Sequence, residues 1–485
     1  MRSKIRLIAL LVICAFAFAA CGAPAAAPTT AAPAATTAAA TTAAATTAAA
    51  TTTAAPAPEP GKEVTVRTNF TAGEFTDEII AKCEAELPGI LVERAEADDS
   101  KLMAMIAAGT APDVIRIYAA QTLPMWVTRN IAASIQDYVD KSPVIDESDL
   151  LPICDTFRWD GKVSGQGPLY GIPKDWSLDI TVMINKRQFE ANNIPLPDEK
   201  TPLTLAQYVD LTKQLNELND DGSVKIYGGG DDFSFNLMLI QSMMNQQGLS
   251  IWSDDYRKVD INNDYVKEIW SYIEDAATSK SIGSPINPMP DWSGNMFKEG
   301  RLAMFQVGYW YTGVIRGFNQ TVEQMGDMEA TQEDCMMLPA LMINNSATRI
   351  STCTHACGGI LLRQSENPDE AWKVFEWFLG NGQQAIDRAE GGWGLPSYRS
   401  LMDYLPKETD FDKQALAVTM DEIEKSAKLY VQMNPFVNYA AAETLIKKYI
   451  DPIYDGDATI NDALPQLERD IQLLIEEGMD IAGIF

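Results

Sequence analysis

Hydrophobic positions along the chain change their spacing several times. An unbroken apolar run, Leu7 to Phe18, follows three basic residues, and no large apolar side chain recurs until Val64. From Val64 onward two periods alternate. Val64-Thr-Val-Arg-Thr68 has the two-residue alternation of a strand, and Phe75 to Leu87, carrying Ile79 and Ile80, reads as a helix. Ser100 to Ala108 places Leu102, Met105 and Ile106 on one helical face, and Gly109-Thr-Ala-Pro112 ends it. Asp113 to Tyr118 then predicts a buried parallel strand. Later, Thr204-Leu-Ala-Gln207 is a capping box ahead of a helix holding Leu205, Tyr208, Val209, Thr212 and Leu215. Asn367-Pro368 opens another with Ala371, Val374, Phe375, Phe378 and Leu379 as its stripe, so its Trp372 and Trp377 read as packing or surface residues. Met243, Met244, Met336 and Met337 read as core, and Asn219-Asp-Asp-Gly222 as a turn into a strand at Val224 to Tyr227. Alternating strands and helices predict an α/β sheet covered on both faces, with ligands at the carboxyl ends of its strands. That rule directs Asn69, Phe70, Tyr118 and Gln121 toward a cleft.

Length and the N-terminus refine this picture. A chain of 485 residues exceeds the size at which one core stops growing, so two lobes are expected. Arg2, Lys4 and Arg6 before the run Leu7 to Phe18 predict a secretory signal over 1–20; the run is too short to span a bilayer, which takes about 20 residues. The segment ends Phe18-Ala-Ala-Cys21-Gly22, which resembles a bacterial lipobox with Phe18 in place of the usual aliphatic residue. Cys21 is then the expected lipidation site, and two acyl chains suffice for stable anchoring. Residues 22–60 are almost wholly Ala, Thr and Pro, a composition that cannot bury a core and predicts a disordered leash.

Charge and rare residues prune the chemistry. The net charge of −29 becomes three units more negative once the signal is removed, which disfavours nucleic acid and anionic lipid surfaces. The single histidine, His355, leaves no multi-histidine metal site and one candidate for any Ser-His or Cys-His mechanism. Cys353, His355 and Cys357 share one face of an expected strand, Thr352 to Leu362, and read as structural core rather than zinc ligands. Cys83, Cys154 and Cys335 bring the remaining cysteines to an odd number, so at least one thiol is free or paired between chains.

Six further stretches occur in a familiar order. Leu102 to Val114 (Leu-Met-Ala-Met-Ile-Ala-Ala-Gly-Thr-Ala-Pro-Asp-Val) comes first, then Tyr170-Gly-Ile-Pro173 with Val182-Met-Ile-Asn185 and Phe189 to Pro195. Met296-Phe-Lys-Glu-Gly-Arg-Leu-Ala-Met304 with Gly308-Tyr-Trp310 follows, then Gly358-Gly-Ile-Leu-Leu362, Gly394-Leu-Pro396, and Asp457 to Leu464. Together they resemble family 1 of the extracellular solute-binding proteins of bacterial ABC importers, the maltose-binding-protein-like receptors. The resemblance implies a type II periplasmic-binding-protein fold: 61–176 with 350–390 as one lobe, 177–349 with 391–485 as the other, and crossings near 176–183, 338–352 and 385–395. It also implies a monomeric, lipid-anchored receptor on the outer face of the cell membrane (the periplasmic side where an outer membrane exists). Such a receptor closes on a solute and hands it to a membrane permease, with no cofactor, metal or enzymatic activity.

A sugar presents C–H faces to aromatic planes and hydroxyls to carboxylates and amides. Trp310, in Gly-Tyr-Trp, occupies the family's stacking position. Asp175 and Trp176 follow the strand at the first crossing. Trp292, Trp393, Asp232, Phe235 and Tyr439 lie beside glycines or turns and complete the candidate ligand-binding set with Tyr118. The favoured ligand is a mono- or oligosaccharide. The alternatives are a peptide or polyamine receptor, or a secreted lipoprotein glycosidase working through paired carboxylates.

Overall fold

The computed structural model describes residues 63–97, 99–162, 164–317 and 330–483. The signal segment, Cys21 and the linker lie outside them. The strands, in chain order, are β1 (Val64–Thr68), β2 (Ile90–Arg94), β3 (Val114–Tyr118), β4 (Ala132–Ala133), β5 (Arg158–Trp159), β6 (Ser164–Leu169) and β7 (Gly171–Pro173). They continue with β8 (Val182–Asn185), β9 (Glu217–Leu218), β10 (Val224–Gly229), β11 (Leu302–Gln306), β12 (Cys335–Leu338) and β13 (Cys357–Leu362).

These strands form two principal sheets, which define two lobes. The first has the order β2-β1-β3-β13-β4, with β7 also pairing to β13; the second runs β12-β8-β11-β10-β9. β1 is parallel to β2 and β3, as the alternation of strand and helix requires, whereas the late strand β13 enters antiparallel to β3 and β7. In the second sheet β10 and β11 are parallel, and β8 joins β11 to β12 antiparallel. β5 and β6 pair as a separate ribbon.

Side-chain alternation explains why the second sheet is covered on both faces. Val182 and Ile184 enter a core built with helices Leu205–Leu215, Asp264–Thr278 and Ile460–Ile481, while Met183 points into a second core with Phe305, Met337 and Tyr311. The first lobe has its own core around Ile115, Ile117, Ile360 and Phe375. The expected capping box is formed: Thr204 Oγ1 accepts from Gln207 N at 3.2 Å, and Gln207 Oε1 accepts from Thr204 N at 2.9 Å. Helix Pro368–Leu379 buries its apolar stripe, and Trp372 stacks on Tyr138.

The chain passes between the sheets three times: after β7 into β8, after β12 into β13, and again between helices Gln383–Gly391 and Asp410–Lys425. The last passage falls later than the sequence indicated. Ala385 and Ala389 still pack in the first lobe's core, as do Tyr398 and Leu401, whereas Gln414 clasps the backbone of Met337 in β12. The strand expected from Thr352 begins only at Cys357. Thr354 is held by Asp179, and Ala356 takes a left-handed φ of 44°, so the extended pattern cannot start earlier.

Candidate functional site

The passages between the sheets meet at a cavity of about 220 Å³. Its first wall is the end of β3: Arg116 and Tyr118, two residues apart, share a face. The register pairs Cys357 with Tyr118, and the first passage is laid over the same point, because Cys357 O accepts the Lys174 and Asp175 amides at 2.6 and 3.2 Å. Opposite stands Trp310, just beyond β11. Its amide donates to Ser177 Oγ at 2.9 Å, and Gly308 leaves room for that seat, since a Cβ there would lie 2.3 Å from the Ser177 Cβ. Trp393 reaches the rim from the turn after helix Gln383–Gly391, where Gly392 closes the helix with a left-handed φ of 68°.

The aromatic residues form a continuous group. The Trp310 and Trp393 ring centroids lie 6.1 Å apart, and Trp292 stacks on the outer side of Trp310, 6.1 Å away at 15°. Trp292 and Trp393 are 46% and 36% exposed, so both keep open faces. Opposed to these rings are ionised groups. Arg116 Nε approaches Glu74 Oε2 to 2.7 Å as an ion-pair contact, and Lys174 Nζ lies 3.2 Å from Glu74 Oε1 and 2.5 Å from Asp175 Oδ2. Burial alone raises the Glu74 pKa, but the Lys174 and Arg116 charges outweigh it and bring it down to about 2. Asp179 Oδ2 accepts from the Thr354 amide at 2.7 Å and hydroxyl at 2.9 Å, and lies 3.2 Å from His355 Nδ1. Asp179 thereby ties the first passage to the second.

The sequence-derived residues fare unevenly. Tyr118, Asp175, Trp176, Trp310 and Trp393 all line the cavity. Trp176 is only 3% exposed, and its Nε1 donates to Pro396 O at 2.9 Å, so it packs between passages. Trp292 stands one ring outside. Asp232, at the end of β10, accepts the Gln306 amide at 2.8 Å; burial and neighbouring Asp231 push its carboxyl up to about 7. Phe235 is buried edge-on against Trp270, and the Tyr439 hydroxyl donates to Asn434 O in the second lobe's core, so neither is brought to the cavity. Asn69 and Gln121 spend their side chains on Arg116 N and Thr354 O, and Phe70 packs against Phe378.

Glu74, Arg116, Lys174 and Asp179 escaped the sequence reading, and His355, expected in the structural core, lines the cavity instead. Arg116 was findable, since it alternates with Tyr118 on one strand; Glu74 and Asp179 sit in loops without periodicity. Of the cysteines, Cys357 lines the cavity with its thiol 3.5 Å from Glu74 Oε1, and burial raises its pKa far above neutrality. Cys83, Cys154, Cys335, Cys353 and Cys357 are all buried free thiols, and the described residues contain no cluster fit to hold a metal.

Two α/β lobes joined by crossing segments, with an aromatic and polar cavity where the segments meet, define a two-lobed solute receptor. The chain belongs to the bacterial extracellular solute-binding proteins, whose family model matches residues 67–385. None of the curated proteins matches it in sequence. Solved structures share the fold. An ABC substrate-binding protein of Listeria monocytogenes in complex with cycloalternan has a TM-score of 0.68 at 19% identity, over 87% of this chain and 100% of that one. An ABC-transporter-associated binding protein of B. animalis subsp. lactis, with β-1,6-galactobiose, gives 0.64 at 18%, over 86% and 98%. The maltose/maltodextrin-binding domain of Bdellovibrio bacteriovorus, with maltotriose, gives 0.63 at 16%, over 86% and 100%.

Proposed function

We propose that this protein captures a mono- or oligosaccharide between its lobes and delivers it, chemically unchanged, to an ABC permease. The observation that carries the reading is the pairing of Trp310 and Trp393 with a hydrogen-bonding floor of Tyr118, Asp179 and Glu74 around one cavity. Flat rings accept the C–H face of a sugar, while the floor meets its hydroxyls. Carbohydrate ligands in structures of the same fold support it. Closure follows from differential affinity: with Trp310 and Tyr118 on opposite lobes, a ligand touching both is bound better when they approach.

The receptor acts as a monomer outside the cell membrane, held there through a diacylated Cys21 and the Ala/Thr/Pro leash. The lipobox-like Ala19-Ala-Cys21 supports the anchor, and no helix among the described residues is long and apolar enough to cross a membrane. Isothermal titration with di- and trisaccharides tests the capture. A bound sugar should lose about tenfold or more in affinity in Trp310→Ala, in line with removal of an aromatic anchor. Unchanged affinity would remove Trp310 from the site, and turnover of the sugar would instead favour a glycosidase.

A further inference from the structure

We propose that the cavity admits only an uncharged polyhydroxylated ligand and rejects sugar acids and polyamines of the same size. This deepens the carbohydrate reading above and rests on it. The chain's acidity leaves both kinds of charged ligand open, because a few local cations or carboxylates would decide the matter. In the cavity those groups have already closed on one another.

The Glu74 carboxylate receives Arg116 and Lys174 together with the Thr71 amide at 3.2 Å and hydroxyl at 2.9 Å. Lys174, whose side chain is 1% exposed, is shared between Glu74 and Asp175. The rest of the Arg116 guanidinium turns to Tyr118: Nη2 donates to the phenol oxygen at 2.9 Å, and the group lies 4.5 Å from the ring centroid. Asp179 is met by Thr354 and His355.

Among the described residues, the further cation acting on this cluster is Arg388. Its Nε and Nη1 are buried without a hydrogen-bond partner, and it acts electrostatically on Asp175. It faces a separate void of about 10 Å³, enough for a single water and far too small for a sugar carboxylate. Glu74 and Asp175 are therefore balanced by Arg116, Lys174 and Arg388, whereas Asp179 is held by Thr354 and His355. A ligand carboxylate would be desolvated beside those carboxylates without a cation to receive it, and a polyamine could set one ammonium on Asp179 but would have to displace Lys174 or Arg116 to pair the next. A neutral hydroxyl meets neither obstacle, since each carboxylate still has lone pairs to accept its proton.

The test is calorimetric titration of the full-length protein at pH 7 and moderate salt. The probes are di- and trisaccharides of glucose, galactose and mannose, their C6-oxidised uronate counterparts, and spermidine. A neutral sugar should bind, its uronate should bind at least about 100-fold more weakly, and spermidine should give no binding heat. A uronate or spermidine binding within tenfold of the best neutral sugar overturns the inference and leaves the receptor reading standing. Binding by no sugar, neutral or charged, overturns the carbohydrate reading and the inference with it. In Glu74→Gln, which releases Arg116 and Lys174, the ratio of uronate to neutral affinity should rise at least about tenfold. Should that variant not fold, Asp175→Asn frees Lys174 and takes its place. An unchanged ratio in the folded variant refutes the role given to the ion network.

Discussion

Replacing Glu74 by Gln isolates the charge at the centre of the cavity wall with almost no change of shape. The folded protein holds this carboxyl at about 2, against an ordinary value of 4.5, because Lys174 and Arg116 outweigh the cost of burial. At about 1.4 kcal/mol per pKa unit, that depression corresponds to roughly 3 kcal/mol of stability. A comparable figure, about 3–5 kcal/mol, follows independently from removing one member of a buried ion cluster. The sign is fixed by the direction of the shift. A depressed carboxyl stabilises fully above its unfolded pKa, so wild type should exceed Glu74→Gln by roughly 3 kcal/mol at pH 7. The difference should shrink below pH 4.5, reach about half near pH 3, and vanish toward pH 2. Urea unfolding at pH 7, 4 and 3, followed by tryptophan fluorescence, measures it. A difference that stays constant with pH would trace the loss to packing and refute the electrostatic account.

Other consequences can be checked with ordinary variants. Gly308→Ala drives a Cβ to within 2.3 Å of the Ser177 Cβ, so it should cost about 1–3 kcal/mol in urea unfolding and weaken sugar binding by displacing Trp310. Asp179→Ala strips the acceptor from Thr354 and His355; a loss of about 1–3 kcal/mol in thermal or urea unfolding is expected. The five folded-domain thiols are buried, and burial raises the pKa of Cys83 and Cys154 to about 12. Peptide-resolved alkylation should therefore find Cys83, Cys154, Cys335, Cys353 and Cys357 reduced, modified no faster than the protein unfolds. Rapid labelling of Cys357 in the native protein would show the cavity wall to be open.

Local pattern carried the elements well where one periodicity ruled. β1 spans the residues that alternate at Val64 to Thr68, and Thr204 and Gln207 cap their helix as the pair indicated. It carried them poorly where partners lie far along the chain. Cys353 to Ala356 look like strand, yet Asp179, in another passage, holds Thr354 and turns the backbone there. Phe235 and Trp310 each sit near glycines in the sequence; only packing sends the first into a core beside Trp270 and the second to the cavity.

By itself, the sequence determined what depends on neighbours a few residues apart: the α/β alternation, the helix caps, and a family pattern spread over most of the chain. The tertiary structure decided which charges matter. Glu74, Arg116, Lys174 and Asp175 are scattered through a chain with 67 acidic and 38 basic residues, most of them solvated. Only the folding of β13 against β3, with the first passage laid across it, takes those four out of water together. There their pairing, rather than the net charge of the protein, sets the electrostatics a ligand meets, because a charge is strong only where water no longer screens it.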